Sequence, residues 1–96
     1  MSDYKNDLIN ILEMLLNIEK DLNLVGYNQT EKSVYYAIAW NISKSEICNI
    51  TDVIISSKLS RSTVYKAIKK FELNNLVKLE QSSLDKREYN LTLSNI

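Results

Sequence analysis

Near the start of the chain, apolar residues fall at Tyr4, Leu8, Ile11, Leu15, Ile18, Leu22 and Val25, in alternating steps of four and three. This is the seam spacing of a coiled coil, and it predicts one long helix from Ser2 or Asp3 to about Asn23, with Ser2 or Asp3 as its N-cap. A second row through Ile9, Leu12 and Leu16 adjoins the first, so apolar side chains take up about half of the circumference. One such face suits the helix's own domain and the other a partner. Tyr4, Leu8, Ile11, Leu15, Ile18 and Leu22 are therefore expected to form a dimer interface.

The stretch Leu24-Val25-Gly26-Tyr27-Asn28 breaks this pattern, and Gly26 is the residue expected to end the helix. The chain divides there into an N-terminal dimerisation helix, 1–27, and a domain of residues 28–96. The domain opens with a helix over about 30–42, capped by Asn28 or Thr30, and Asn28 with Glu31 has capping-box spacing. Its core face is Val34, Tyr35, Ile38 and Ile42. Tyr36 and Trp40 share another face, which could dock on the long helix or, less in keeping with helical aromatic pairs, stack on a ligand. A short helix follows over about 51–58, with Thr51 as cap and Val53 and Ile54 inward. Leu59-Ser60 turns the chain, and Ser60 caps a fourth helix over 61–74 with Val64, Ala67, Ile68 and Phe71 inward.

The period then changes from 3.6 to 2. Val77 and Leu79 alternate with Lys78 and Glu80, and Tyr89, Leu91 and Leu93 alternate with polar residues, with a polar turn over 81–86 between the runs. Two short helices, a tight turn and a hairpin make a mainly α winged helix-turn-helix in the order α-α-α-α-β-β.

Composition narrows the chemistry. The chain has 96 residues, 45% hydrophobic and 25% charged, which suits one ordinary globular domain. It has no histidine and a single cysteine, Cys48. Histidine-based metal sites, catalytic Ser/His or Cys/His pairs and an intrachain disulfide are therefore excluded, and no residue set suggests an enzyme or a cofactor. Cys48 reads as a small buried hydrophobe rather than a redox sensor. No apolar stretch is long enough to span a bilayer and the N-terminus does not resemble a signal peptide, so a cytoplasmic location without membrane partners is expected.

Net charge is zero but unevenly spread. Residues 1–31 carry six acids against Lys5 and Lys20, whereas 58–78 carry six bases against Glu72 alone. No acid occurs from 53 to 71. The outward side of the fourth helix presents Ser62, Lys66 and Lys69, flanked by Tyr65 and Lys70, with Arg61 in its first turn. Ser60 and Thr63 stand at its start and Lys58 just before it. Arginine and lysine donate to guanine acceptors, and hydroxyls reach bases or phosphates. Lysines later in the helix, with Lys58, are placed for backbone phosphates. Double-stranded DNA is the partner that this basic island predicts.

The run LSRSTVYKAIKKFELNNLVKLE followed by SSLDKREYNLTLS resembles the DNA-binding lobe of MarR-type winged-helix regulators, over roughly residues 28–94. The wing segment Asp85-Lys86-Arg87 is its most specific part. The resemblance implies that Arg87 enters a minor groove, that Asp85 helps to hold the wing and that Lys86 lies beside them at the DNA. It also implies a transcriptional regulator acting as a homodimer. The family's C-terminal dimerising helices have no counterpart in these 96 residues, so that task passes to the N-terminal helix or is absent. Ile54 and Lys58 stand where the family usually has a small residue and a glycine, so a small difference in the turn is expected. No small-molecule effector is indicated. The alternatives are a winged helix that binds protein, which leaves the basic helix unexplained, and a DNA-binding component of plasmid or viral replication or partition.

Overall fold

The computed structural model describes residues 3–84 and 87–94, and Ser2 is outside them. The order is α1 (Asp3–Asp21), α2 (Gln29–Ser45), α3 (Ile50–Ser57), α4 (Arg61–Leu73), β1 (Val77–Gln81) and β2 (Tyr89–Leu93). The two strands pair antiparallel with Val77 opposite Leu93 and Gln81 opposite Tyr89. This is the expected element order, with boundaries moved by a few residues.

The body is built around Val34, Tyr35 and Ile38 of α2, Val53 of α3, Val64, Ile68 and Phe71 of α4, and Val77 and Leu91 of the hairpin. Phe71 is its aromatic centre. The ring lies 5.6 Å from Tyr35 in an edge-on arrangement and 4.8 Å from Tyr27. Such pairs add to what area burial alone contributes. Cys48 is fully buried in the same core, where burial first, and Asp52 second, pushes its thiol up to about 12.

Helix starts follow local chemistry. Asn28 accepts from the Glu31 amide and donates its own amide to the Glu31 carboxylate, completing the expected box. The cap of α3 differs from expectation: Asn49, rather than Thr51, forms a second box with Asp52. An asparagine three residues before an acid outcompetes a threonine that has Ile54, which cannot return a hydrogen bond, at the same offset.

Helix ends depart further. Gly26 does not take a positive φ; Asn23 does, at 61°. The Leu24 amide donates to the Glu19 carbonyl at 2.8 Å and the Asn23 amide to that of Lys20 at 3.1 Å. This is a Schellman closure, in which asparagine tolerates the left-handed position and the next residue, Leu24, is buried. The same device recurs after α4, where Asn75 has φ 61° and buried Leu76 donates to Phe71. Asn-Leu-Val thus ends two helices in one chain.

A further pairing was not expected. The Leu91 amide donates to the Cys48 carbonyl at 2.7 Å, and Asn49 forms an antiparallel bridge with Asn90. The approach to α3 therefore lies along β2 and ties the wing to the helix-turn-helix. One bridge is too short to leave a period-2 signal.

α1 behaves unlike every other element. No other helix or strand packs along it, and the chain extends 53 × 25 × 24 Å as a result. Only its C-terminal end touches the body: Glu19, the sole buried residue of α1, accepts from the Tyr36 hydroxyl and pairs with Lys32 at 3.2 Å. Leu22 lies beyond the helix and packs on the core with Leu24 and Tyr27. It is thereby separated from the free seam in which the heptad spacing had put it, because the Schellman turn redirects the chain after Asp21.

Candidate nucleic-acid interface

Ser60 positions the start of α4. Its hydroxyl accepts from the Thr63 amide at 3.2 Å, donates to the Thr63 hydroxyl at 2.8 Å and lies 3.3 Å from that of Ser62. Ser60 and Thr63 therefore use their polar atoms within the helix start, as a cap does. With Val64, Ala67, Ile68 and Phe71 buried, Arg61, Ser62, Tyr65, Lys66 and Lys69 are left exposed on one basic surface.

Lys70 stands apart from that surface. Its ammonium lies 3.0 Å from the Glu31 carboxylate and 5.2 Å above the Tyr27 ring. The Asn28 amide and then this lysine hold the Glu31 carboxyl below its usual range. Lys70 thus clamps the end of α4 to the start of α2, an ion pair that the reading of it as a phosphate-contacting lysine did not include. Sequence charge alone cannot distinguish a lysine with an acid across the fold from one without.

Lys58 caps α3 with φ 60° and ψ 24°, the left-handed turn for which glycine is usual. The turn keeps its left-handed form despite the side chain, and Lys58 remains exposed beside the start of α4.

The hairpin brings its base to α4. A cleft of about 50 Å³ is lined by Asn49, Thr51, Arg61, Tyr65, Arg87 and Tyr89, among others. Arg61 and Arg87, some 26 positions apart in sequence, thus border one concavity. Asn49, Thr51 and Tyr89 were not singled out as site residues. Tyr89 follows the inward alternation of β2, yet it is exposed because its partner Gln81 is the last residue of β1, past the edge of the core. Asp85 and Lys86 lie outside the described residues, and Leu84 beside them is almost fully exposed.

No family model and no curated protein matches the chain. Solved structures do. Bordetella bronchiseptica BpsR, in a structure concerned with regulation of its DNA binding by 6-hydroxynicotinic acid, has 15% identity over 88% of this chain and 67% of its own, with a TM-score of 0.57. S. aureus MepR in complex with DNA has 18% identity, 94% and 70% coverage and a TM-score of 0.62. YusO of Bacillus subtilis has 18% identity, 99% and 65% coverage and a TM-score of 0.61. The chain therefore spans about two thirds of the length of these proteins. They are MarR-family regulators, and the fold that this chain shares with them is the winged helix-turn-helix.

Proposed function

We propose that the chain binds double-stranded DNA as a homodimer and regulates transcription from the cytoplasm, with α4 in the major groove and the wing beside it. The supporting observation is the exposed face of α4, which carries Arg61, Lys66 and Lys69 with no acid before Glu72 in the last turn, and whose first residue borders one cleft with Arg87. Arg61 is the candidate for base readout, and Lys58, Lys66 and Lys69 are candidates for phosphates. Ser62 and Tyr65 flank them. Among the described residues no helix is long and apolar enough to cross a membrane. The fold is one that MepR uses in a structure with DNA. The homodimer rests on the free apolar seam of α1, from Tyr4 through Leu8, Ile11 and Leu15 to Ile18.

Selection from random duplexes, followed by affinity measurements at several salt concentrations, tests the reading. Enriched sites should hold two half-sites about one helical turn, or a multiple of it, apart. Arg61→Ala should relax the preference at one or two positions and cost about 1–3 kcal/mol there. Lys66→Ala should weaken all sequences alike and reduce the salt slope by about one. Binding that is weak at low salt and indifferent to sequence would overturn the proposal.

A further inference from the structure

α1 is fastened to the body through one residue. Glu19 closes the Schellman turn with its carbonyl, which accepts from the Leu24 amide at 2.8 Å. Its carboxylate reaches α2, where the Tyr36 hydroxyl donates to it and the Lys32 ammonium lies at 3.2 Å. Among the described residues no other side-chain bond joins α1 to the body. On a projection of about 100° per residue Glu19 falls between Leu8 and Leu12, in the middle of the apolar stripe. Those leucines are exposed, whereas Glu19 is only 5% exposed. An apolar residue at position 19 would have continued the stripe. The chain places there a group that is costly to bury without fixed partners.

Such a group does something that an apolar contact cannot. Apolar burial is non-directional, whereas a charge-assisted hydrogen bond fixes an orientation. Buried ion pairs add little net stability, and their best-attested use is to select one arrangement among several. The α2 end of this bond is itself held. The Tyr36 ring packs against the core, and α2 buries Val34, Tyr35, Ala37 and Ile38 and packs on α4. On the other side of the turn, Leu24 is fully buried. Leu24 alone would let the arm swing about Asn23. With Glu19 added, points on both sides of the turn define the direction of the arm relative to α4.

We infer that Glu19, held by Lys32 and Tyr36, is a positioning residue for DNA recognition: it sets the angle between arm and body, and thereby the half-site spacing that the dimer accepts. The inference rests on the reading of the chain as a DNA-binding homodimer. The lever is long. A tilt of about 15° at the foot of an arm about 28 Å long moves the body by about 7 Å relative to the far end, the length of about two base-pair steps. A stiff link concentrates the second α4 at one spacing, and a loose link spreads it over many. Anchoring at Glu19 is therefore read out as a sharp spacing preference.

The test uses duplexes with two half-sites selected from random DNA, their separation changed one base pair at a time, and a duplex with one half-site. The intact chain should lose roughly tenfold in affinity when two base pairs are added to the preferred spacing. Glu19→Ala should reduce that loss to about twofold, and so should Lys32→Met combined with Tyr36→Phe, which leaves the carboxylate without partners. The sedimentation mass and the affinity for one half-site should not change. None of these substitutions touches the arm seam or α4, and a mere loss of stability would weaken binding at every spacing alike. Spacing profiles that coincide for the intact chain and both variants overturn the positioning role while the homodimer and its DNA binding stand. An intact dimer that binds every spacing equally overturns it as well. A monomer, or a chain with no affinity for either duplex, overturns the inference together with the reading beneath it.

Discussion

α1, of 19 residues, and α4, of 13, are both amphipathic helices, and they meet opposite fates. α4 buries Val64, Ala67, Ile68 and Phe71 and turns its charges outward. α1 carries an equally regular apolar stripe and leaves it in solvent, burying only an acid. Periodicity states that a face wants cover; it does not state who provides it. For α4 the cover is α2, α3 and the hairpin, all within the chain. For α1 the turn at Asn23 and the anchor at Glu19 direct the helix away from its own body, so cover must come from elsewhere.

Replacing Phe71 with alanine breaks the comparison on the covered side. The ring is fully buried between Tyr35 and Tyr27, so the loss should be about 3–5 kcal/mol, enough to unfold much of a small domain. Thermal unfolding should show this at every protein concentration. Charging the free stripe, with Leu15→Glu and Ile18→Glu together, should act differently. Neither side chain belongs to the core, so the body should stay folded while sedimentation shows monomers, and the concentration dependence of the melting temperature should vanish. Unfolding of that double variant at all concentrations would mean that α1 is part of the body's stability.

Lys58→Gly sharpens the contrast between holding the fold and meeting a partner. Glycine relieves a left-handed residue, which should raise the stability of the body by about 0.5–1 kcal/mol. The same change removes a positive charge beside α4 and should reduce the salt slope of DNA binding by roughly one. A variant that is both more stable and undiminished in DNA binding would remove Lys58 from the interface.

The smallest effect is that of pH on the clamp between α4 and α2. The Asn28 amide and Lys70 lower the folded-state value of Glu31 below its ordinary 4.5. Its stabilising contribution is therefore present above that ordinary value and is lost as pH falls through the lower, folded one. Chemical denaturation between neutral pH and pH 3 should show this loss, and Glu31→Gln should flatten part of it. Identical profiles for the two proteins would mean that the clamp is too exposed to solvent to matter.

Much of the molecule was legible without coordinates where a signal is local. The box of Asn28 and Glu31, the Ser60 cap and the inward residues of α4 each depend on neighbours within one helical turn. The hairpin pairing followed from alternation at Val77, Leu79, Leu91 and Leu93. Only tertiary structure could decide that Asn23, rather than Gly26, turns the chain, since the left-handed position is selected by the need to bury Leu24. The same holds for Lys70, occupied by Glu31 from 39 positions away, and for Cys48 paired along β2. By itself the sequence determined which faces are apolar, which basic, and where helices begin. The three-dimensional fold decided which of those faces the chain covers for itself, because long-range contacts depend on the directions that the turns impose.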